Sequence, residues 1–277
     1  MLSLDRDLWA KLSGPYGSAE DAPRLLQQLQ QQFSQKVFDE LFQEYLFHQN
    51  TIYTATYAAM PFLARLACTT SDTAVRKELY INCGIIEASR DEQHQMPYPP
   101  SWTELAEEVG STVCTQVYTD YVEAIDQLRS LTEQVLTDAA EPSTDDTDKR
   151  YILIADAAFR KSYIVANMLM TFSEGDEYVA ECPACANEMY IWPDENHAVP
   201  LKAYEQDPVF QPDQEAQAIN PTSAWTDEET RILAERTARI GEQTLSTHLP
   251  YLAGNTTCPS CHENIEVWPA LLSTFTM

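Results

Sequence analysis

The sequence predicts a mainly α fold, in which an array of helical hairpins (an α-solenoid) precedes a small β element with a helical insertion. Two observations favour the helices. Residues 4–172 carry apolar residues at helical spacing within runs rich in Leu, Ala, Gln, Glu and Thr, and the 277-residue chain contains only 7 Gly. After Gly175 the pattern changes to short alternating segments, EYVAEC and EMYIW, which are typical of strands.

The first predicted domain, residues 1–174, consists of successive helices. Ser101 and Glu104 form a capping-box pattern at the start of a helix that continues to about residue 137. Its apolar residues follow one another in four-residue steps, which drift around the cylinder, so we expect a curve or break near Thr119. A helix over 149–172 is apolar on most sides and is expected to be central.

The second predicted domain, residues 175–277, carries an insertion over 194–250. Residues 194–225 contain several Pro and no strong periodicity, which predicts a loop. Thr226 and Glu229 form another capping-box pattern, which predicts a helix to about Thr247. The insertion therefore separates two short β segments.

The charge of the chain is strongly negative. It has 43 acidic and 17 basic residues, a formal net charge of −26. Such a surface repels nucleic acid and anionic membranes, so we expect neither as a partner. The stretch 87–149 holds 15 acidic residues and three basic ones. It is either a solvated helix face or a surface complementary to a basic partner, for which the candidates are Glu104, Glu107, Glu108, Asp120, Glu123 and Asp126.

Two matching twelve-residue segments carry the most specific pattern in the chain. CPACANEMYIWP and CPSCHENIEVWP align without a gap and place Cys182, Cys185, Cys258 and Cys261 in two CPxC turns. Four thiolates suit tetrahedral Zn²⁺, so the pattern predicts one shared structural zinc site in a zinc-ribbon-like element. Iron is the alternative metal, and a redox dithiol is the alternative role, although a thioredoxin-like βαβ context is missing.

Details of this site can also be predicted from the flanking residues. Trp192 and Trp268 are expected to pack beside the metal. Ribbon turns often have Gly directly after the second Cys; here Asn187 and Asn264 are expected to supply the turn instead. His262 could compete as a ligand, but four thiolates already complete the shell. The remaining cysteines, Cys68, Cys83 and Cys114, lie in apolar helical patterns and are expected to be core residues.

Residues 8–68 resemble a family of bacterial HEAT-like proteins. The resemblance rests on PYGSAEDAPRLLQQL and on HQNTIYTATYAAMPFL, with Asn50 where the family usually has Gly; Asn also reaches the left-handed conformation. It implies a HEAT-like helical domain, and proteins of this family are often encoded beside secreted toxins as candidate immunity proteins. His48 and Gln49 are expected to hydrogen-bond backbone carbonyls at a helix end.

The function that these observations predict is binding rather than catalysis. The sequence has no GxSxG, P-loop, HExxH or Gly-rich nucleotide loop, so we do not expect an enzyme. The leading hypothesis is a cytoplasmic immunity protein that blocks a basic toxin. The alternative is a zinc-containing helical scaffold or adaptor that binds a host protein. MLSLDRDLW has charges where a signal peptide would be apolar, and the apolar stretches are too short to cross a bilayer.

Overall fold

The computed structural model describes residues 1–90, 96–194, 200–225 and 227–275. The chain forms two compact units, Met1–Val135 and Leu136–Met277. Helices predominate in both, which confirms the mainly α class. Within the described residues, no helix combines the length and the apolarity needed to cross a membrane.

The first unit is built from helices joined by short hairpins and turns. Its elements, in chain order, are α1 Arg6–Trp9, β1 Ser13–Gly14, β2 Gly17–Ser18, α2 Ala22–Gln31, α3 Gln35–Leu41, a π-helical turn Phe42–Leu46, β3 Phe47–His48, β4 Thr51–Ile52, α4 Thr54–Thr69, α5 Thr73–Ala88, a 3-10 turn Pro100–Trp102, α6 Thr103–Val109, α7 Ser111–Ser130 and α8 Thr132–Ala139, which crosses into the second unit.

The long helix predicted over 101–137 is interrupted at two places, and neither is Thr119. Gly110 has a φ of 91° and separates α6 from α7, while Leu131 separates α7 from α8. Thr119 lies inside the uninterrupted α7. The expectation of a break there was wrong, because a positive φ at a glycine interrupts a helix more readily than a drifting apolar stripe does.

The core of the first unit lies where α4 packs against α7. Tyr57 of α4 contacts Trp102 and Tyr121, with ring centroids 4.9 and 4.7 Å apart. Below this aromatic cluster, the buried Glu87 carboxylate accepts hydrogen bonds from Arg90 at 2.7 Å and from the Tyr121 hydroxyl at 2.6 Å. The buried charge is thus paired and hydrogen-bonded, as a low-dielectric core requires.

The described part of the second unit combines helices with two small antiparallel sheets. Its further elements are α9 Asp146–Phe159, α10 Tyr163–Thr171, β5 Tyr178–Glu181, β6 Glu188–Pro193, β7 Leu201–Tyr204, β8 Gln217–Ala218, α11 Glu228–Ile240, α12 Gln243–Leu252, β9 Asn255–Thr257, β10 Asn264–Glu266 and α13 Val267–Ser273. One sheet has the order β5-β6-β7-β8, and β9 pairs with β10 in a separate hairpin.

Several sequence-based boundaries differ in this unit. The helix predicted over 149–172 is two helices, α9 and α10, separated at Lys161, which has a φ of 67°. Both lie in the second unit, whereas the sequence places the domain boundary at 174/175. The predicted loop 194–225 contains β7 and β8. Here β7 pairs with β6, and β8 pairs with β7, so strand pairing orders a segment whose own sequence predicts no strand.

The helix of the insertion also differs from its prediction. Thr226 lies outside the described residues, and the side chain of Asp227 caps α11 by accepting the Thr230 amide at 2.8 Å. Gly241, with a φ of 64°, ends α11, so the predicted single helix to Thr247 is two helices.

A buried polar network ties α9 to α12. The Arg150 guanidinium donates two hydrogen bonds to Glu242 Oε1, at 3.1 and 2.8 Å, and a third to the Phe172 carbonyl at 3.2 Å. Glu242 also caps α12 through the Leu245 amide. Both charged side chains are 2% exposed, so each depends on the other for its charge to be compensated.

Candidate metal centre

The two CPxC segments form matching turns at the ends of two hairpins. The first turn connects β5 to β6, and the second connects β9 to β10. In the first, the amide of Cys182 donates to the Asn187 carbonyl at 2.9 Å, and the amide of Ala186 donates to the Cys182 carbonyl at 2.8 Å. Cys258 and His262 make the equivalent bonds in the second turn, at 2.8 and 3.0 Å. The aligned letters therefore encode the same backbone turn twice.

The residue after the second cysteine provides the turn. Ala186 has a φ of 58° and His262 a φ of 65°, so both adopt the left-handed conformation that Gly usually occupies at this position. The expectation that Asn187 and Asn264 would take over this role was wrong. The amides of Ala186 and His262 donate to the carbonyl of the first cysteine of their turn, so these residues are the ones that must adopt the left-handed conformation. An Asn further along the chain cannot replace them in that role.

The four predicted cysteines come together. Their Sγ atoms all lie within 4.8 Å of one another. Cys182 and Cys261 are 3.7 Å apart, Cys185 and Cys258 are 3.9 Å apart, and none is in a disulfide. A zinc ion about 2.3 Å from each of four tetrahedral sulfurs requires a sulfur–sulfur separation of roughly 3.8 Å, which these two distances match. The donor set and its spacing fit one four-thiolate metal ion.

Backbone amides surround the sulfurs and favour the ionised form that a metal needs. Burial opposes ionisation of Cys182, but the amides of Ala184 and Cys185 point at its sulfur and, with neighbouring thiols, lower its pKa to about 7. Burial raises the pKa of Cys258, against the amides of Cys261 and Ser260. One thiolate thus forms readily, and its negative charge makes the next thiolate harder to form. A divalent cation would offset the repulsion between the thiolates.

The arrangement suits a structural metal. Cys182 and Cys258 are fully buried, while Cys185 and Cys261 are partly exposed. Four thiolates leave no coordination position for water or substrate, so the metal would crosslink the two hairpins and perform no reaction. The exposed His262 is not part of the ligand cluster among the described residues. Trp268 is 6% exposed in α13, and Trp192 lies partly buried in β6.

The three single cysteines do not all match their prediction. Cys83 and Cys114 are buried, as expected of core residues. Cys68 is exposed near the end of α4, so the expectation was wrong for this residue. A helix as apolar as α4 still has a face that its neighbours leave uncovered, and the local sequence does not mark which face that is.

The predicted acidic binding residues divide into two sets. Asp120 is 9% exposed, accepts a hydrogen bond from Gln116 at 2.9 Å and lies 2.6 Å from the backbone nitrogen of Met1, so it does not contribute to an open surface. Glu108 is exposed and pairs with Lys11 at 3.2 Å. The other four are exposed on α6 and α7: Glu104, Glu107, Glu123 and Asp126.

The segment around His48 is a hairpin rather than a helix end. Gln49 and Asn50 have φ values of 48° and 58° between β3 and β4, which confirms the left-handed conformation expected of Asn50. His48 Nδ1 lies 3.3 Å from the Tyr16 hydroxyl. We expected His48 to hydrogen-bond carbonyls at a helix end. Instead it lies in β3, where its side chain contacts Tyr16.

A cavity beside the CPxC turns was not predicted. It measures about 760 Å³ and is lined by Glu181, Ala186, Asn187, Glu188, Tyr190, Glu205, Gln206, Asp207, Phe210, Gln211 and Ser260. These residues come from both CPxC turns, from β5 and β6, and from the loop between β7 and β8. Glu181 and Glu188, which flank the first turn, are the one feature of the sequence that could have indicated an acidic site. No local pattern shows that the β7–β8 loop and the second CPxC turn come together beside them.

Comparison with protein families, with curated proteins and with solved structures finds no match to this chain.

Proposed function

We propose that this protein is an immunity protein, which binds a basic bacterial toxin and blocks it stoichiometrically. The observation that carries the proposal is the net charge of −26, with exposed carboxylates on both units. An acidic surface of this kind attracts a basic protein and accelerates its association. The resemblance of residues 8–68 to HEAT-like proteins that are encoded beside toxins supports the choice of a toxin as the partner.

The helical part is proposed to act as a HEAT-like scaffold. Helical hairpins such as α4 with α5, and the packing of α4 on α7, are the kind of unit from which such arrays are built. Arrays of this kind present extended surfaces for protein partners. We assign no catalytic role to the chain, because binding alone accounts for a stoichiometric inhibitor.

The four cysteines are proposed to hold zinc in a zinc-ribbon-like element. When bound, the ion supplies a crosslink between the β5–β6 and β9–β10 hairpins. Cys182, Cys185, Cys258 and Cys261 would be its ligands, and the amides that point at their sulfurs would stabilise the thiolates. Iron in the same cage would have the same structural effect.

Co-expression tests the proposed function. The protein is expressed together with the toxin encoded by the neighbouring gene, and cell survival is measured against cells that carry the toxin alone. We expect survival, and a complex of fixed stoichiometry on purification. If cells die equally fast with and without the protein, it is not an immunity protein for that toxin.

A second experiment addresses the alternative function, a zinc-containing scaffold for a host protein. A pull-down from cells that lack any toxin gene would then recover a specific partner, whereas the immunity proposal predicts none. The two outcomes are distinct because one requires the neighbouring gene and the other does not.

A further inference from the structure

We propose that the cavity beside the CPxC turns is a docking pocket for an arginine side chain of a partner protein. The inference rests on the proposed function, since it assumes a basic partner, and it specifies where on the second unit that partner is held. It rests on the negative charge of the cavity, on its concave shape and on the exposed aromatic ring of Phe210.

The described lining of the cavity is negatively charged. Among the residues that the structure describes, four carboxylates line it and no Lys, Arg or His does: Glu181, Glu188, Glu205 and Asp207. None of the four has an ion pair with another described residue. Lys202, on the adjoining strand β7, is engaged by Asp194 at 3.1 Å. A cationic group that entered the cavity would therefore meet carboxylates that no Lys or Arg of the described part of the chain neutralises.

Two of these carboxylates are placed against each other by the sheet. Glu181 of β5 and Glu188 of β6 are direct cross-strand partners, and both are exposed. Like charges that face each other directly across an antiparallel pair are destabilising. The local field also acts on Tyr190: its hydrogen bond to Glu188, with burial and the charges of Glu188 and Asp207, raises the pKa of the phenol. A bound cation would relieve this repulsion.

An exposed aromatic ring makes the cavity selective for a planar cation. Phe210 is 80% exposed on the loop between β7 and β8, next to Val209, which is 63% exposed. Gln214 braces this loop: its side chain accepts the Gln206 amide at 2.9 Å and donates to the carbonyls of Gln206 and Gln211, both at 2.8 Å. A large apolar ring held in water on a braced loop is a candidate contact surface, and a guanidinium stacks on such a ring while its N–H groups reach carboxylates.

The two CPxC turns form one wall of the cavity. Ser260 lies between Cys258 and Cys261, and Ala186 and Asn187 of the other turn complete this wall. The metal centre would thus fix one side of the docking pocket.

A metal ion is a poorer occupant than an arginine. Among the described residues, only the four cysteines form a group with at least three potential ligand atoms close enough to hold one ion. The carboxylates of the cavity are too far apart for that. Their spread suits an extended cation whose several N–H groups contact different acceptors, which is the geometry of a guanidinium.

The test measures binding of a fluorescein-labelled hexa-arginine peptide to the full metal-loaded chain at 0.15 M salt by fluorescence anisotropy. Hexa-lysine is the matched probe. We expect hexa-arginine to bind more tightly than hexa-lysine. Phe210→Ala, which changes no charge, should weaken hexa-arginine binding about fivefold and remove the preference for arginine.

A pair of equal charge changes separates the pocket from general attraction. Glu181→Gln with Glu188→Gln should weaken binding about tenfold or more. Glu104→Gln with Glu107→Gln on α6 should change it by less than about twofold, since neither residue lines the cavity and an exposed charge contributes little outside a direct contact. Equal losses in both pairs, unchanged binding by Phe210→Ala, or no binding of hexa-arginine would each overturn the pocket. Metal content, measured for every variant, confirms that the CPxC turns are intact.

These results are distinguishable from failure of the proposed function. If the peptide pattern holds but co-expression gives no protection, the pocket stands and the toxin is the wrong partner. If co-expression protects and Phe210→Ala protects equally well with unchanged toxin affinity, the immunity function stands and the pocket is wrong.

Discussion

Substitution of one cysteine in each CPxC turn tests whether a shared metal crosslinks the second unit. In Cys182→Ser and Cys258→Ser, a buried ligand of the cluster is replaced by a hydroxyl that binds zinc poorly. We expect each variant to lose the metal, although each still contains three of the four cysteines. Each turn contributes two of the four sulfurs, with Cys182 next to Cys261 and Cys185 next to Cys258, so removal of a sulfur from either turn leaves the shared site incomplete.

The magnitude follows from the length of chain that the metal closes. The paired sulfurs are 73 and 79 positions apart in the sequence. On the loop-entropy relation for crosslinks, closing a loop of that length in the unfolded chain is worth about 4 to 5 kcal/mol. Since a domain is stable by only roughly 5–15 kcal/mol, loss of this crosslink should remove a large part of the stability of the second unit.

The assay combines metal analysis with hydrogen exchange. Metal equivalents are counted by mass spectrometry of the purified protein, and exchange is followed in peptides from β5–β6 and β9–β10, where protection should fall by about three orders of magnitude for a loss of roughly 4 kcal/mol. Cys68→Ser is the control, because Cys68 is exposed and outside the cluster. Retention of one metal equivalent and full protection in both Cys182→Ser and Cys258→Ser would refute a shared site.

Three further predictions concern the second unit. Ala186→Gly should stabilise the metal-loaded protein by about 1 kcal/mol in urea unfolding, because Ala186 has a φ of 58° and Gly removes the cost of that conformation; a loss of stability would contradict this. Glu242→Gln should cost about 3–5 kcal/mol, because it leaves Arg150 buried without a counter-charge, whereas Glu228→Gln on the surface of α11 should hardly matter; equal effects would rule out the buried pair as the cause. Burial, opposed by Arg150, raises the pKa of Tyr178 to about 12, whereas a tyrosine in the unfolded chain has a pKa of about 10. The protonated phenol therefore contributes fully to stability below about pH 10, and this contribution is lost as the pH rises from about 10 to about 12. Tyr178→Phe should flatten urea-derived stability over that range, and an unchanged slope would assign the effect to other groups.

The mainly α class and the four cysteines of the cluster could be predicted because their signals are local. A helix or a strand shows in the spacing of apolar residues within one segment, and a CPxC turn needs only four consecutive residues. The duplication of the flanking letters then indicated that the two turns act together. Boundaries were less predictable: Gly110 and Gly241 end helices through a positive φ that a count of apolar residues does not register.

Burial of individual polar and thiol groups could not be predicted with the same success. Asp120 and Glu123 look alike in a sequence of acidic helices, yet Asp120 is 9% exposed and Glu123 is on the surface. Cys68 and Cys83 both lie in apolar patterns, yet only Cys83 is buried. In each case the difference depends on which neighbouring element covers that face, and that element lies far away in the sequence.

The sequence by itself determined the chemistry that this protein has to work with: four cysteines in two matching turns, a net charge of −26 and a chain that is mainly helical. The tertiary structure decided how these are used. It brought the four sulfurs within 4.8 Å, paired Arg150 with Glu242 across 92 positions, and assembled the acidic cavity from both CPxC turns, two strands and the Phe210 loop. The physical reason is that composition and periodicity act within a segment, whereas coordination, charge compensation and concavity arise only when distant segments pack together.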